Sequence, residues 1–419
     1  MTVDLPLLSE PFGDIREDLR AFRWNGKESL VTESRVALEN GDVEVVDTFV
    51  NEFWTSRQRA AHSLHEVSYR ACFKPQLPRF FIERLTRPGD VVYDPFMGRG
   101  TTPVEAALLG RVPWGSDANP LSVALVAPRL NPPALADVAK RLDEIPWAEA
   151  GETRDDLLVF YHPETLAEIH ALRRYLLERS EAGALDATDR WIRMVAVNRL
   201  TGHSPGFFSV YSLPPNQAVS LRSQARINAR RKQEPPRRNV PDLILAKSRS
   251  LLSACDDRTR ARLASVAGRA RLLTGRAEKR SPLPEGSVDL VVTSPPFLDV
   301  VDYTTDNWLR CWFCGIDVAA IDLTILKRLA DWESTMTGVL AELGRLLKVG
   351  GHVAFEVGEV RGGTVRLEES VVRSARAAGL HATLVMVNAQ QFTKTANCWG
   401  VGNNRSGTNS NRIVLIEKA

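Results

Sequence analysis

The run Asp94-Pro-Phe-Met-Gly-Arg-Gly-Thr-Thr102 narrows the choice of fold more than any other stretch of this chain. The residues leading into it, Gly89-Asp-Val-Val-Tyr, are β-branched and aromatic, the pattern of a short buried strand. Those that follow predict a helix from Thr101 to Leu109, stopped at Gly110. A second short strand, Val112-Pro-Trp-Gly-Ser-Asp117, comes next. Strand, glycine turn, helix, strand is the opening of a parallel α/β sheet. At such a turn Gly98 and Gly100 let a ligand reach the backbone and its free N–H groups. A phosphate-binding P-loop requires Lys where this chain has Thr101, and a dinucleotide fingerprint wants glycine where it has Pro103. A nucleoside without a pyrophosphate is the remaining reading. Asp117 then ends the next strand, where a carboxylate can accept both ribose hydroxyls.

The same alternation returns near the end of the chain. Ser287-Val-Asp-Leu-Val-Val-Thr predicts a strand halted by Ser294-Pro-Pro-Phe297. An amphipathic helix from Asp331 to Leu347, Gly350-Gly351, and strands at His352–Val357, Ala382–Asn388 and Arg412–Glu417 complete the pattern, with a helix near Ser370–Ala378. From about Pro132 to Arg271 the text is mostly helical, with Leu166, Ile169, Leu172 and Leu176 on one face. A loop, His203-Ser-Pro-Gly-Phe-Phe-Ser-Val-Tyr-Ser-Leu-Pro-Pro, interrupts it. The expected architecture is α/β: a doubly wound sheet from 51–130 and 270–419, interrupted by a helical, basic insertion at 131–269. Residues 1–50 receive no role.

Ser294-Pro-Pro-Phe297 is the second chemical motif. Its prolines fix the backbone, a hydroxyl and carbonyls face outward, and an aromatic ring stands beside them. That is a slot for a flat heterocycle bearing an amino group. Paired with Asp94–Thr102, it resembles the S-adenosylmethionine-dependent DNA amino-methyltransferases. The resemblance covers about 51–130 and 270–419 and implies a Rossmann-like sheet. It assigns cofactor binding to Asp94, Pro95, Phe96, Gly98, Gly100, Thr101 and Thr102. It adds Lys74, in Phe73-Lys-Pro-Gln-Leu-Pro-Arg-Phe80, and Asp117 and Asn119, in Gly115-Ser-Asp-Ala-Asn-Pro120. Catalysis falls to Ser294, Pro295, Pro296 and Phe297. Ser at the first position resembles the enzymes acting on cytosine N4; Asp or Asn there is typical of the N6-adenine group. The resemblance implies base flipping and direct in-line transfer, with Phe297 stacking on the base. The chain departs from the family at Gly275-Arg-Ala277, where an acid often stands, because Arg276 cannot accept a bond from adenine.

Charge points to the partner. Between Arg222 and Arg280 there are 17 Lys/Arg against five Asp/Glu, a local +12 in a chain of net +3, so the remainder sums to −9. Such segregation is the footprint of a polyanion. Arg222, Arg226, Arg230, Arg231, Lys232, Arg237 and Arg238 are the expected contacts to double-stranded DNA, and a cognate restriction endonuclease belongs to the same expectation. The polar stretch Asn397–Asn411 reads either as a hairpin loop or as a wall of the base pocket offering amide donors. Five cysteines make no disulfide framework, and Cys311-Trp-Phe-Cys314 and His62-Ser-Leu-His65 lack the further ligands a metal needs, so no metal is expected. Neither a secretory signal nor an apolar run long enough to span a bilayer is read, which places the chain in a cytoplasm. An RNA or tRNA base methyltransferase and an N6-adenine enzyme are the rival readings. A non-enzymatic nucleic-acid-binding regulator and a protein-glutamine methyltransferase rank below them.

Overall fold

The computed structural model describes residues 13–38, 40–54, 61–69, 72–148, 154–213, 218–296, 303–322, 326, 328–358, 365–389 and 410–419. Nine strands form one sheet: β1 (Leu30–Ala37), β2 (Val43–Asn51), β3 (Val91–Asp94), β4 (Val112–Asp117), β5 (Arg271–Thr274), β6 (Val288–Thr293), β7 (Leu347–Val357), β8 (His381–Ala389) and β9 (Ser410–Glu417). Their order is β1-β2-β8-β9-β7-β6-β3-β4-β5. The run from β7 to β5 is parallel. β9 lies antiparallel between β7 and β8. This is an open, mostly parallel Rossmann-like sheet, as the alternation of strands and helices predicts. The strand order reverses at β3, with β4 on one side and β6 on the other, and this opens a crevice at the carboxyl ends of the strands.

Helices cover both faces. α1 (Ile15–Ala21), α2 (Gln76–Leu85), α3 (Thr101–Leu108) and α4 (Leu121–Leu130) come from the first half. The insertion supplies α5 (Leu135–Glu144), α6 (Pro163–Glu181), α7 (Ala187–Val197), α8 (Leu221–Arg231), α9 (Val240–Leu252) and α10 (Asp257–Ala267). α11 (Tyr303–Phe313), α12 (Leu329–Leu346) and α13 (Leu367–Ala377) belong to the second half. Alternation along the strands decides which face each residue serves. Leu290, Val292 and Ala354 pack with Leu77 and Phe81 of α2, whereas Val291 and Phe355 pack with Trp332, Leu340 and Leu343 of α12. No described helix is long and apolar enough to cross a membrane.

Three features were not readable from the sequence pattern. The first 50 residues carry β1 and β2, and β2 pairs in parallel with β8, so the β-branched run at Val43–Phe49 extends the catalytic sheet. β7 starts at Leu347, five residues before the strand expected at His352. A bulge absorbs the difference, since β6 residues 288 and 290 face 347 and 352, and Gly350 takes a φ of +74° within it. The insertion, in turn, is no separate body. Trp191, Met194 and Ile244 share one core with Val104 of α3 and Leu125 of α4.

Candidate active site

The glycine turn is built from hydrogen bonds of short reach. Asp94 ends β3 fully buried, and its Oδ1 accepts from the Phe96 N–H at 3.0 Å and from the Thr293 hydroxyl at 2.7 Å. Asp117 ends β4, where its two oxygens accept from the Gly98 N–H at 2.9 Å and the Asn119 N–H at 2.8 Å. A carboxylate has about four acceptor positions, so Asp117 retains capacity for ligand hydroxyls. Burial pushes the Asp94 carboxyl up to about 7 and raises that of Asp117. Gly98 and Gly100 have φ of +48° and +77°, left-handed backbone that favours glycine. At Gly100 a Cβ would stand 2.3 Å from Val126 Cγ2, so no other residue fits without displacing α4.

The other cofactor residues expected from the sequence divide by what they touch. Pro95 is buried behind the turn, and Phe96 is half-buried. Thr102 is fully buried and donates to the Val292 carbonyl at 2.9 Å, which ties α3 to β6. Thr101 accepts from Arg99 Nε at 3.2 Å. The Asn119 side chain accepts from the Leu121 N–H at 2.9 Å and so fixes the first turn of α4. Lys74 is exposed just before α2.

Ser294 follows β6 directly, next to this turn, because β6 and β3 are neighbours in parallel register. It is half-buried; Pro295 is buried, and the exposed Pro296 accepts from Trp332 Nε1 through its carbonyl at 2.9 Å. Phe297 lies outside the described residues, as do Cys398 and nearly all of the polar stretch at 397–411. Asn411, the end of that stretch, does offer an amide: its Nδ2 donates to Glu356 Oε1 at 2.9 Å. Strand register sets Ser294, one residue past the Thr293–Phe355 pair, beside Glu356, and burial raises the Glu356 carboxyl above the ordinary range. Sequence reading missed Glu356 and Trp332. An acid in the apolar run His352-Val-Ala-Phe-Glu-Val was the available signal for the first.

Arg276 pairs with Glu278, and with Asp322 at 3.0 Å, so its guanidinium lies between two carboxylates beside β5. In the basic block, Arg222, Arg226 and Arg230 are exposed and, four residues apart, share one face of α8. Arg231 stacks 3.8 Å from the Tyr211 ring centroid, and Lys232 closes the helix with a left-handed φ of +49°. Arg237 is bound to Glu164 at 2.9 Å and to Glu168, while the Arg238 backbone exchanges hydrogen bonds with Thr165. His65 is bonded to the buried Glu105 at 2.7 Å, and the His62 ring meets the Ala254 carbonyl at 2.9 Å. Cys311 is buried on α11, and burial raises both thiols of the Cys311–Cys314 pair.

A Rossmann-like sheet with a glycine turn and a Ser-Pro-Pro turn on adjacent strands thus frames the candidate site. Residues 23–126 match the family model described as DNA methylase. The type II methyltransferase M.MjaII of Methanocaldococcus jannaschii is 35% identical over 74 residues, 18% of this chain and 14% of that protein. This chain thus spans a small part of that relative's length. The type II methyltransferase M.BsoBI of Geobacillus stearothermophilus is 23% identical over 367 residues, 75% of this chain and 68% of the relative. Among solved structures, TrmN from Thermus thermophilus aligns over 90% of this chain and 56% of its own, at 14% identity and a TM-score of 0.32. The matched family and both relatives are thus described as DNA methylase or type II methyltransferases.

Proposed function

We propose that this chain transfers a methyl group from S-adenosylmethionine to the exocyclic N4 amino group of a cytosine flipped out of duplex DNA. The observation that carries this reading is the 2.7 Å bond from Thr293 to Asp94. It holds the glycine turn and the Ser-Pro-Pro turn side by side, so a methyl donor and an amine acceptor would meet at one point. The residues suit the donor: a turn with two left-handed glycines, and a half-buried carboxylate, Asp117, with acceptor positions to spare. Gly98, Gly100 and Asp117 would hold it, and bound there it supplies an electrophilic methyl on a sulfonium.

The chain's own groups would act on the base. An exocyclic amine is a poor nucleophile because its lone pair is conjugated with the ring. N–H bonds to Ser294 Oγ and the Pro295 carbonyl draw the nitrogen toward tetrahedral geometry and free that pair. Transfer then needs alignment rather than a covalent intermediate. Ser, in place of Asp or Asn, is the support for cytosine over adenine. The exposed arginines of α8 would track phosphates of the duplex.

Mass analysis of nucleosides from plasmid DNA incubated with the protein and S-adenosylmethionine tests this directly. N4-methylcytosine is the expected product. N6-methyladenine alone would overturn the choice of base and keep the methyltransferase. Methylated nucleosides from tRNA but not from DNA would overturn the substrate.

A further inference from the structure

The sheet has two edges, and they are finished differently. At one end β5 is short, Arg271–Thr274, and opens with an exposed arginine, as suits an edge that must not recruit a neighbour. At the other end β1 pairs with β2 along its whole length without a bulge, from Leu30 opposite Val50 to Ala37 opposite Val43. It contains no proline, and among the described residues no strand lies along its outer side. Four of the six exposed large hydrophobic residues described, Leu30, Val31, Val43 and Val45, gather at this corner, each at least 40% exposed. The two charges of β1, Glu33 and Arg35, are exposed and enter no ion pair among the described residues. A long, regular, apolar edge of this kind is a template for another strand.

We propose that β1 is a dimerisation edge, on which a second copy of this chain pairs its own β1 antiparallel in a register centred on Ser34. The inference rests on strand geometry and stands whether or not DNA is the substrate. Backbone N–H and C=O groups of successive residues point to opposite sides of a strand, so only every second residue of β1 offers them outward. In an antiparallel pair of identical strands those residues meet when the two-fold axis lies level with a residue, and miss when it lies between two. Two registers satisfy this and use nearly the whole strand. One is centred on Glu33 and pairs residues 30–36; the other is centred on Ser34 and pairs 31–37. The first sets Glu33 opposite Glu33 of the partner subunit, which is repulsive. The second sets Glu33 opposite Arg35 of the partner subunit, and symmetry makes the same pair twice. It also aligns an apolar row across four strands: Phe49 and Val31 of one copy, then Ala37 of the partner subunit and the partner's Val43. The axis stands perpendicular to the joined sheet, so the carboxyl ends of β3 and β6 point opposite ways in the two copies. Both candidate sites stay open, because β2, β8, β9 and β7 separate β1 from β6.

Sedimentation velocity of the full chain without DNA, over a series of concentrations, tests this. The natural protein should shift from the mass of one chain toward that of two as concentration rises. Glu33→Arg and Arg35→Glu each set like charges opposite one another, and each should weaken the dimer at least about tenfold. Mixed together, these two variants should dimerise again, since a basic edge then meets an acidic one. The double variant Glu33→Arg with Arg35→Glu should dimerise like the natural protein. Both positions are exposed, so circular dichroism should show one fold throughout. A natural protein that stays monomeric up to its solubility limit overturns the inference. So does a dimer that either single substitution leaves at its natural strength, and so do single variants that stay monomeric when mixed. Methyl transfer plays no part in the readout, so failure here is distinct from failure of the proposed activity.

Discussion

The two halves of the site bury carboxylates by different means. In the cofactor half, the bonds to Asp94 and Asp117 come largely from backbone N–H groups of the same strand ends and turns: Phe96, Gly98 and Asn119. In the Ser-Pro-Pro half, Glu356 is held by a side chain arriving from another strand, the Asn411 amide. The first arrangement is local and survives any movement that keeps the turn intact. The second depends on register between β7 and β9, and a slip of one residue would turn Glu356 to the opposite face. Backbone donors make a rigid receptor; side-chain donors make an adjustable one.

Breaking the rigid half should have the largest effect. Gly100→Ala places a Cβ 2.3 Å from Val126 Cγ2 in a left-handed conformation. Strain and overpacking together should cost about 2–5 kcal/mol and abolish cofactor binding. Chemical denaturation measures the first and calorimetry the second. Val126→Ala in the same chain should recover part of the lost stability, and absence of any recovery would place the fault in backbone strain alone.

Asp94 gives a pH test of the same half. Its folded-state pKa, about 7, stands above the ordinary 3.8 because of burial. An acid raised on folding contributes stability that is complete below its unfolded pKa and is lost as pH rises through the folded one. The natural protein should therefore lose up to about 4 kcal/mol relative to Asp94→Asn between about pH 4 and pH 8. Asn at 94 can keep the acceptor oxygen for Phe96 and Thr293, and its amide can donate to Thr102, whose hydrogen goes to Val292. Parallel unfolding curves at both pH values would show that Asp94 stays solvated.

In the adjustable half, Ser294→Ala should lower methyl transfer roughly a hundredfold. Cofactor affinity should hold, because the role proposed for the hydroxyl is toward the base. Loss of both together would mean that Ser294 shapes the cofactor cleft, and the contrast between the halves would collapse.

The same contrast explains what could be read in advance. Asp94–Thr102 and Asp117 are legible because strand, glycine turn and acid lie close in sequence and each obeys a local rule. Ser294-Pro-Pro is legible because its prolines are. Glu356 is a single acid whose partner, Asn411, appears only when β9 is laid beside β7. Trp332 is another such case, since its bond to the Pro296 carbonyl joins α12 to the catalytic turn. Charge counting located the basic block but could not see partners. Arg237 serves Glu164 and Glu168, Arg260 donates to the Pro132 and Pro133 carbonyls, and Arg262 donates to Leu108. Those arginines bind the insertion to itself and to the sheet's helices.

This division within the basic block yields the smallest effect and the sharpest control. Arg222, Arg226 and Arg230 lie exposed on one face of α8, free of the stacking that occupies Arg231. Replacing all three with Gln should weaken DNA binding only several-fold at moderate salt. The slope of log affinity against log salt should fall by about 0.9 for each phosphate no longer neutralised, since each neutralised phosphate releases its counterions. Arg237→Gln removes the same charge from the same block, yet its guanidinium is already bound to Glu164 and Glu168. That change should leave the salt slope alone and lower the unfolding midpoint instead. Binding titrations at a series of salt concentrations separate the two. An equal change of slope in both proteins would mean that the block acts through its total charge, and that the face of α8 has no privileged role.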